Sequence, residues 1–188
     1  MKNITFDKNK TQIFICIGSM KSKADSIAPR IGSILSNNGF KVVGTEETPL
    51  HGLNLNERYK EEIERFMDKP EYEVVAIDCC RFKDRDIKYK KISSIIPRYA
   101  IDNSLKHIEF KDNCIGINSL SICPVDDLGY KVGSTWTLLQ LAELADVSIY
   151  IDFAKDIAND IINKLKENKE VQDTTNYNKK ADIKKGGN

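Results

Sequence analysis

The sequence predicts an α/β domain built on a mostly parallel central sheet. Two continuous apolar runs, Thr11–Gly18 (TQIFICIG) and Tyr72–Ile77 (YEVVAI), have the composition of strands buried on both faces. Between and after them lie segments whose apolar residues recur at helical spacing. Strands that alternate with helices are joined by right-handed crossovers, which leaves neighbouring strands parallel. A chain of 188 residues suits one such domain and is short for two. Apolar residues make up 40% and charged residues 30%, so a core fits under a solvated surface with no need of disulfides or a structural metal.

The elements follow in order. Residues 1–10 form a polar, lysine-rich segment with no apolar stretch behind it, which is not the pattern of a signal peptide. After the first strand, Ser19–Ala24 reads as a loop and Asp25 or Ser26 as the cap of a helix. Ile27, Ile31, Ile34 and Leu35 share one face of that helix, Pro29 fits its first turn, and Asn37-Asn38-Gly39 ends it. Phe40–Thr45 is a second strand and Glu46–Leu55 a loop. Asn56–Met67 is a helix with Tyr59, Ile63 and Phe66 as its buried stripe, closed by Asp68-Lys69-Pro70. The third strand, Tyr72–Ile77, runs directly into Asp78.

Beyond Cys80 the pattern weakens. Lys83–Lys91 alternates both signs and reads as a solvated loop. Lys106–Phe110 and Cys114–Ile122 pair as a hairpin turning at Lys111-Asp112-Asn113. Trp136, Leu138, Leu139, Leu141, Leu144 and Ala145 mark a helix from Ser134, and another runs from about Phe153 to Leu165. The domain is therefore bounded at 11–166, with 167–188 a polar tail expected to be disordered and dispensable for stability.

Charge and cysteine usage narrow the function. Lysine and arginine number 29 against 28 acids, a net charge of +1, which argues against nucleic acid or an anionic membrane surface as partner. No run approaches the roughly 20 apolar residues of a membrane span. Cys16, Cys79, Cys80, Cys114 and Cys123 are an odd number without CxxC spacing, which points to reduced thiols in the cytoplasm rather than a zinc site or disulfides.

The chemistry-bearing residues stand out by position. Asp25 follows the first strand and Asp78 the third, and groups at the carboxyl ends of strands in an open α/β sheet converge on a ligand crevice. Two acids there can divide acid and base roles or share a divalent metal ion. The competing reading makes Asp25 a helix cap and Asp78 a turn residue. His51, in a Pro-Leu-His-Gly loop, is either a third ligand or orienting donor to those acids, or a surface-loop histidine. Gly18-Ser19-Met20 offers a turn for substrate binding but lacks the glycine pattern of a nucleotide loop. Cys79-Cys80 could supply a thiol nucleophile, yet no histidine is marked as its partner, and packing explains at least one of the two. His107 is given no role.

Three stretches resemble the YyaC family of sporulation proteins. Ile15-Cys16-Ile17-Gly18 with Asp25-Ser26-Ile27-Ala28-Pro29-Arg30-Ile31-Gly32 is similar to that family's opening. Thr48-Pro49-Leu50-His51-Gly52-Leu53-Asn54-Leu55 resembles its Thr-Pro-Val-His-Ala-Leu-Asn-Leu loop, and Val74–Cys80 resembles its strand ending in Ile-Asp-Ala-Cys. The family in turn resembles the spore germination protease and the hydrogenase maturation proteases. The resemblance implies a three-layer α/β/α sandwich of the phosphorylase/hydrolase-like, maturation-protease-like kind, with Asp25 and Asp78 matching the acids implicated in peptide hydrolysis. It also implies Asp25, Asp78 and His51 as a candidate metal set. One departure is clear: the glycine- and proline-rich stretch that follows the family's Asp-Ala-Cys is here the basic, glycine-free Arg81–Lys106.

Two functions stay open from the sequence. One is a germination-protease-like hydrolase acting on a protein or peptide in the forespore or mother cell of a spore former. The other is an inactive relative that binds and regulates a spore protease or another sporulation protein. Assembly into a homo-oligomer is compatible with either.

Overall fold

A computed structural model of the chain describes residues 4–80, 82, 84, 86–96, 108–122 and 143–185, the last helix beyond 167 by its backbone alone. The elements are β1 (Thr11–Ile17), α1 (Ile27–Asn37), β2 (Lys41–Val43), α2 (Leu55–Arg58), β3 (Tyr72–Cys80), β4 (Tyr89–Ile95), β5 (Phe110–Asn118) and α3 (Val147–Lys185). One five-stranded sheet has the order β2-β1-β3-β5-β4. All its pairings are parallel except β4 against β5, so the expected mostly parallel α/β sheet is what forms.

β1 explains why the apolar runs are continuous rather than alternating. Phe14 and Cys16 pack with α1 and α3, in a cluster that includes Ile27, Ile31, Tyr150, Phe153 and Ile157. Ile13, Ile15 and Ile17 point the other way, into a cluster with Leu50, Leu55, Ile63 and Phe110. Alternate side chains of one strand thus feed two cores, so no position from Ile13 to Ile17 is free to be polar.

α1 ends where the glycine signal places it. Gly39 has φ +83°, and its N–H and that of Phe40 turn back to the carbonyls of Ser36 and Leu35. β2 is shorter than its apolar stretch because Gly44, at φ +98°, breaks the strand. A Cβ on Gly44 would run into the Cys16 carbonyl oxygen, so only glycine lets β2 leave the sheet here.

Several sequence expectations are corrected. The helix at 56–67 is not uniform: α2 passes into a π turn at Tyr59–Ile63 and a 3₁₀ turn at Glu64–Phe66, while still burying Ile63. β3 extends through Asp78, Cys79 and Cys80, because β5 continues the ladder beside them. The expected hairpin at Lys111-Asp112-Asn113 is absent, since these residues lie inside β5. Asp112 has φ +70°, and the β4 register slips there between Ile92 and Ser94. What reads as a turn is a bulge inserting one residue into a strand.

The Lys83–Lys91 stretch is not all loop either, because Tyr89–Lys91 open the edge strand β4. α3 starts at Val147, before the expected Phe153, and its backbone runs helical to Lys185. Lysine and glutamate recur there without proline or glycine, residues that cost a helix little. His107, Cys123 and most of the helix expected at 134–145 lie outside the described residues. Among the described residues, no helix is long and apolar enough to cross a membrane.

Candidate active site

Strand order defines the place to look. β1 has β2 on one side and β3 on the other, so the crossovers part at the carboxyl ends of β1 and β3, the place where a sheet of this order offers a ligand crevice. Asp25 reaches it from the loop after β1, and Asp78 from within β3.

Asp25 is not a helix cap. Ser26 occupies the cap position, without a side-chain bond to the helix N-terminus, and its hydroxyl donates instead to the Lys23 carbonyl at 2.7 Å. The Asp25 carboxylate accepts the Ser19 N–H at 2.6 Å, closing the 19–25 loop on itself. That loop is also tied from outside: the Ser22 hydroxyl and Lys23 N–H donate to the Glu143 carboxylate, and Lys23 Nζ donates to the Glu143 and Ala145 carbonyls. Glu143 is a supporting residue that nothing in the sequence singles out, because the contact spans about 120 positions.

Gly18 is a packing position. A Cβ there would strike the Asp25 carbonyl oxygen and sit 2.9 Å from Pro29 Cδ. Its N–H donates to the Leu50 carbonyl at 2.8 Å, which draws the His51 loop onto the end of β1. Gly18 and Ser19, the expected substrate-binding turn, both donate their N–H groups inside the fold, to Leu50 and Asp25.

The cross-strand row through Asp78 accounts for its setting. Asp78 is registered with Ile17 on β1 and Gly116 on β5, and Gly116 with Lys90 on β4. Phe82 covers Gly116, with its ring edge 2.9 Å from where a Cβ would stand, and Lys90 Nζ lies 4.3 Å from the centre of that ring. The Asp78 carboxyl therefore has an apolar flank on each side. Among the described residues its carboxylate accepts the Cys79 N–H at 2.7 Å.

Burial first, and then the charge of Asp25, push the Asp78 carboxyl up to about 7, against the opposing pull of the Cys79 N–H. Burial also raises Asp25, although the Ser19 N–H and His51 draw it back down. The two acids and His51 are thus one electrostatic group. Asp25, Asp78 and His51 are each half-buried, so water reaches the site.

His51 is held by its own loop: its N–H donates to Asn54 Oδ1 at 2.9 Å, and its Nδ1 accepts the Leu53 N–H at 3.3 Å. That leaves Nε2 as the nitrogen able to face outward with a proton. Among the described residues no three His, Cys, Asp or Glu side chains are arranged to hold a metal ion. The expected Asp25, Asp78 and His51 ligand set is not among such groups, although His51 bears electrostatically on Asp25.

Nor do the thiols supply a nucleophile. Cys79 points to the opposite face of β3, its Sγ bonding the Ala24 carbonyl, and burial drives its pKa well up. Cys80 is pushed up to about 12 by burial and then by Asp78. A thiol in that range is protonated at neutral pH and a poor nucleophile. The four described cysteines are unpaired.

Fold and site together define an α/β protein with a pair of coupled carboxyls at the switch point of its sheet. A family model described as "Protein of unknown function (DUF1256)" matches residues 1–119, and the chain belongs to that family. The match includes both acids and β1 to β5. No curated protein and no solved structure matches the chain.

Proposed function

We propose that this protein hydrolyses peptide bonds with Asp25 and Asp78 as an acid–base pair. One observation carries the reading: burial and Asp25 raise the Asp78 carboxyl to about 7, which lets it hold a proton at neutral pH. Asp25, steadied by the Ser19 N–H and His51, is then the ionised partner. Asp25 takes a proton from water as its oxygen attacks the scissile carbonyl carbon, and Asp78 gives its proton to the carbonyl oxygen. Collapse of the tetrahedral intermediate returns a proton to Asp78, passes the Asp25 proton to the amide nitrogen, and breaks the C–N bond. One oxygen of each carboxyl is occupied by a backbone N–H, which fixes its orientation and leaves the other oxygen for substrate.

The three YyaC-like motifs support the same reading, since they carry Asp25, His51 and Asp78 in the family's order. The two apolar clusters support reading the fold as a three-layer α/β/α sandwich, with α1 and α3 on one face and residues 55–66 on the other. By the same resemblance, the setting is the cytoplasm of a sporulating cell, and the substrates are small spore proteins or a protease zymogen. The test is cleavage of such proteins by the full chain and by Asp25→Asn and Asp78→Asn variants. Loss of cleavage in both, with the fold retained, is expected. Undiminished cleavage by Asp78→Asn refutes the mechanism.

A second reading, binding and regulation of a spore protease without hydrolysis, is favoured by the stretch after Cys80. In the resembling family this stretch is rich in glycine and proline, whereas here part of it is the edge strand β4 and Phe82 is laid over Gly116. A stable stoichiometric complex with the protease, without cleavage, selects that reading.

A further inference from the structure

The β2 edge of the sheet carries a second feature that the acid pair does not use. Among the described residues β2 pairs with β1 alone, so the outer main-chain groups of Lys41–Val43 have no strand partner. A cavity of about 480 Å³ adjoins this edge and reaches inward to Ile13 of β1 and Tyr72 of β3. It touches Lys41, Val42 and Val43 in succession, and because consecutive strand residues face opposite ways, a cavity meeting all three runs along the backbone. Lys41 opens β2 and Tyr72, also on the wall, opens β3. The cavity therefore lies at the opposite end of the strands from Asp25 and Asp78.

The wall is mainly cationic, with three basic side chains against the one acid Glu62. Lys41, Arg65 and Lys69 line it, and none has an acidic partner among the described residues. The acid on the wall, Glu62, is clamped by Arg58, whose Nε and a terminal nitrogen each bond one carboxylate oxygen. Aromatic faces hold the cations in place without neutralising them. Lys41 Nζ lies 5.6 Å and 5.5 Å from the ring centres of Phe66 and Tyr72, and the Arg65 guanidinium 4.8 Å from that of Phe66. Those two rings pack edge to face at 5.0 Å. Arg65 and Phe66 reach the cavity from the 3₁₀ turn that follows the π turn, an irregular pitch that recurs at functional sites.

We propose that this edge docks an extended acidic segment of a partner protein, which adds to β2 as an outer strand and sets carboxylates against Lys41, Arg65 and Lys69. The open backbone edge selects an extended chain, and the three free cations select acidic side chains at alternate positions. The proposal does not depend on peptide hydrolysis.

The probe is a short fluorescent peptide alternating glutamate and valine, titrated with the full chain by anisotropy at low and at physiological salt. Saturable binding is expected, at least tenfold weaker for the double variant Lys41→Glu/Arg65→Glu and several-fold weaker at the higher salt. Lys69→Gln, further out on the wall, should weaken it less while leaving the melting temperature unchanged. Hydrogen exchange at the Val42 or Val43 amide should slow on binding. Asp78→Asn protein should bind the peptide as the wild type does, which separates this site from the acid pair. Absence of binding, equal binding of a lysine–valine peptide, or indifference to the charge reversals would each overturn the proposal. Displacement by inorganic pyrophosphate with no change in exchange at β2 would overturn it in favour of a small-anion site.

Discussion

Replacing Asp78 by asparagine should abolish hydrolysis and at the same time stabilise the fold, by an amount that depends on pH. The carboxyl is raised from 3.8 to about 7 in the folded chain. Between those values the folded protein holds a proton that the unfolded chain has released, so the unfolded state binds fewer protons and stability falls as pH rises. Below about pH 4 both states are protonated and the group contributes nothing. Above about pH 7 both are ionised, and the full penalty of about 4 kcal/mol from burial and the Asp25 charge is felt, at 1.36 kcal/mol for each unit of the shift.

Asparagine has the same shape, carries no charge at any of these values, and can still accept the Cys79 N–H through its side-chain oxygen. Urea unfolding of wild type and Asp78→Asn from pH 4 to 8.5 should therefore show curves that nearly coincide at pH 4. They should diverge steadily to about 4 kcal/mol near pH 8, or roughly 10 °C in melting temperature for a chain of this size. Because Asp25 is also raised, the wild-type slope has contributions from both acids, and the variant should keep a shallower slope of the same sign. A variant no more stable than wild type at pH 8, or a difference independent of pH, would show that the Asp78 carboxyl is not desolvated in the folded chain. The acid–base assignment would go with it.

Three further outcomes follow from individual contacts. Asp25→Asn removes the charge that helps hold Asp78 up, so the Asp78 titration, followed by carbon NMR of the carboxyl, should move to lower pH; an unmoved midpoint would mean the acids are uncoupled. Gly18→Ala forces a Cβ against the Asp25 carbonyl and Pro29, and should cost about 3 kcal/mol in urea unfolding, as overpacking does; a change below about 0.5 kcal/mol would show that the 19–25 loop is free to move away. Glu73→Ala leaves the Asp7 N–H and the amide groups of Gln12 and Asn113 without a buried acceptor, so unfolding should become about 2 kcal/mol easier, with activity per folded molecule unchanged.

How much of this was legible in the sequence depends on whether a feature shows in hydrophobicity. β1, the first part of β3 and the core face of α1 were readable, because residues such as Phe14, Ile15, Val75 and Ile77 are buried by the sheet itself. The far end of β3 was not. The apolar run stops at Ile77, but the ladder is a backbone matter, and Gly116, Ile117 and Asn118 on a strand some forty positions later extend it over Asp78 and its neighbours. β4 was missed for the converse reason: as an edge strand it meets water, and Lys90, Lys91 and Ser94 disguise its period.

The acid pair was legible as a position but not as a group. Sequence spacing places Asp25 and Asp78 after two strands. Only the strand order, with β1 lying between β2 and β3, makes those strands neighbours at the point where their connections part. Had β2 inserted between β1 and β3, the same two residues would stand on either side of an intervening strand, roughly 10 Å apart across two strand spacings, and neither could raise the other's proton affinity appreciably through water. The coupling that makes the pair chemically useful is therefore a property of topology, and it rests on glycine. Gly18 admits the Asp25 carbonyl against the end of β1, and Gly116, the cross-strand neighbour of Asp78, leaves room for Phe82, so that one acid is brought in and the strand beside the other is covered without either changing its place in the chain.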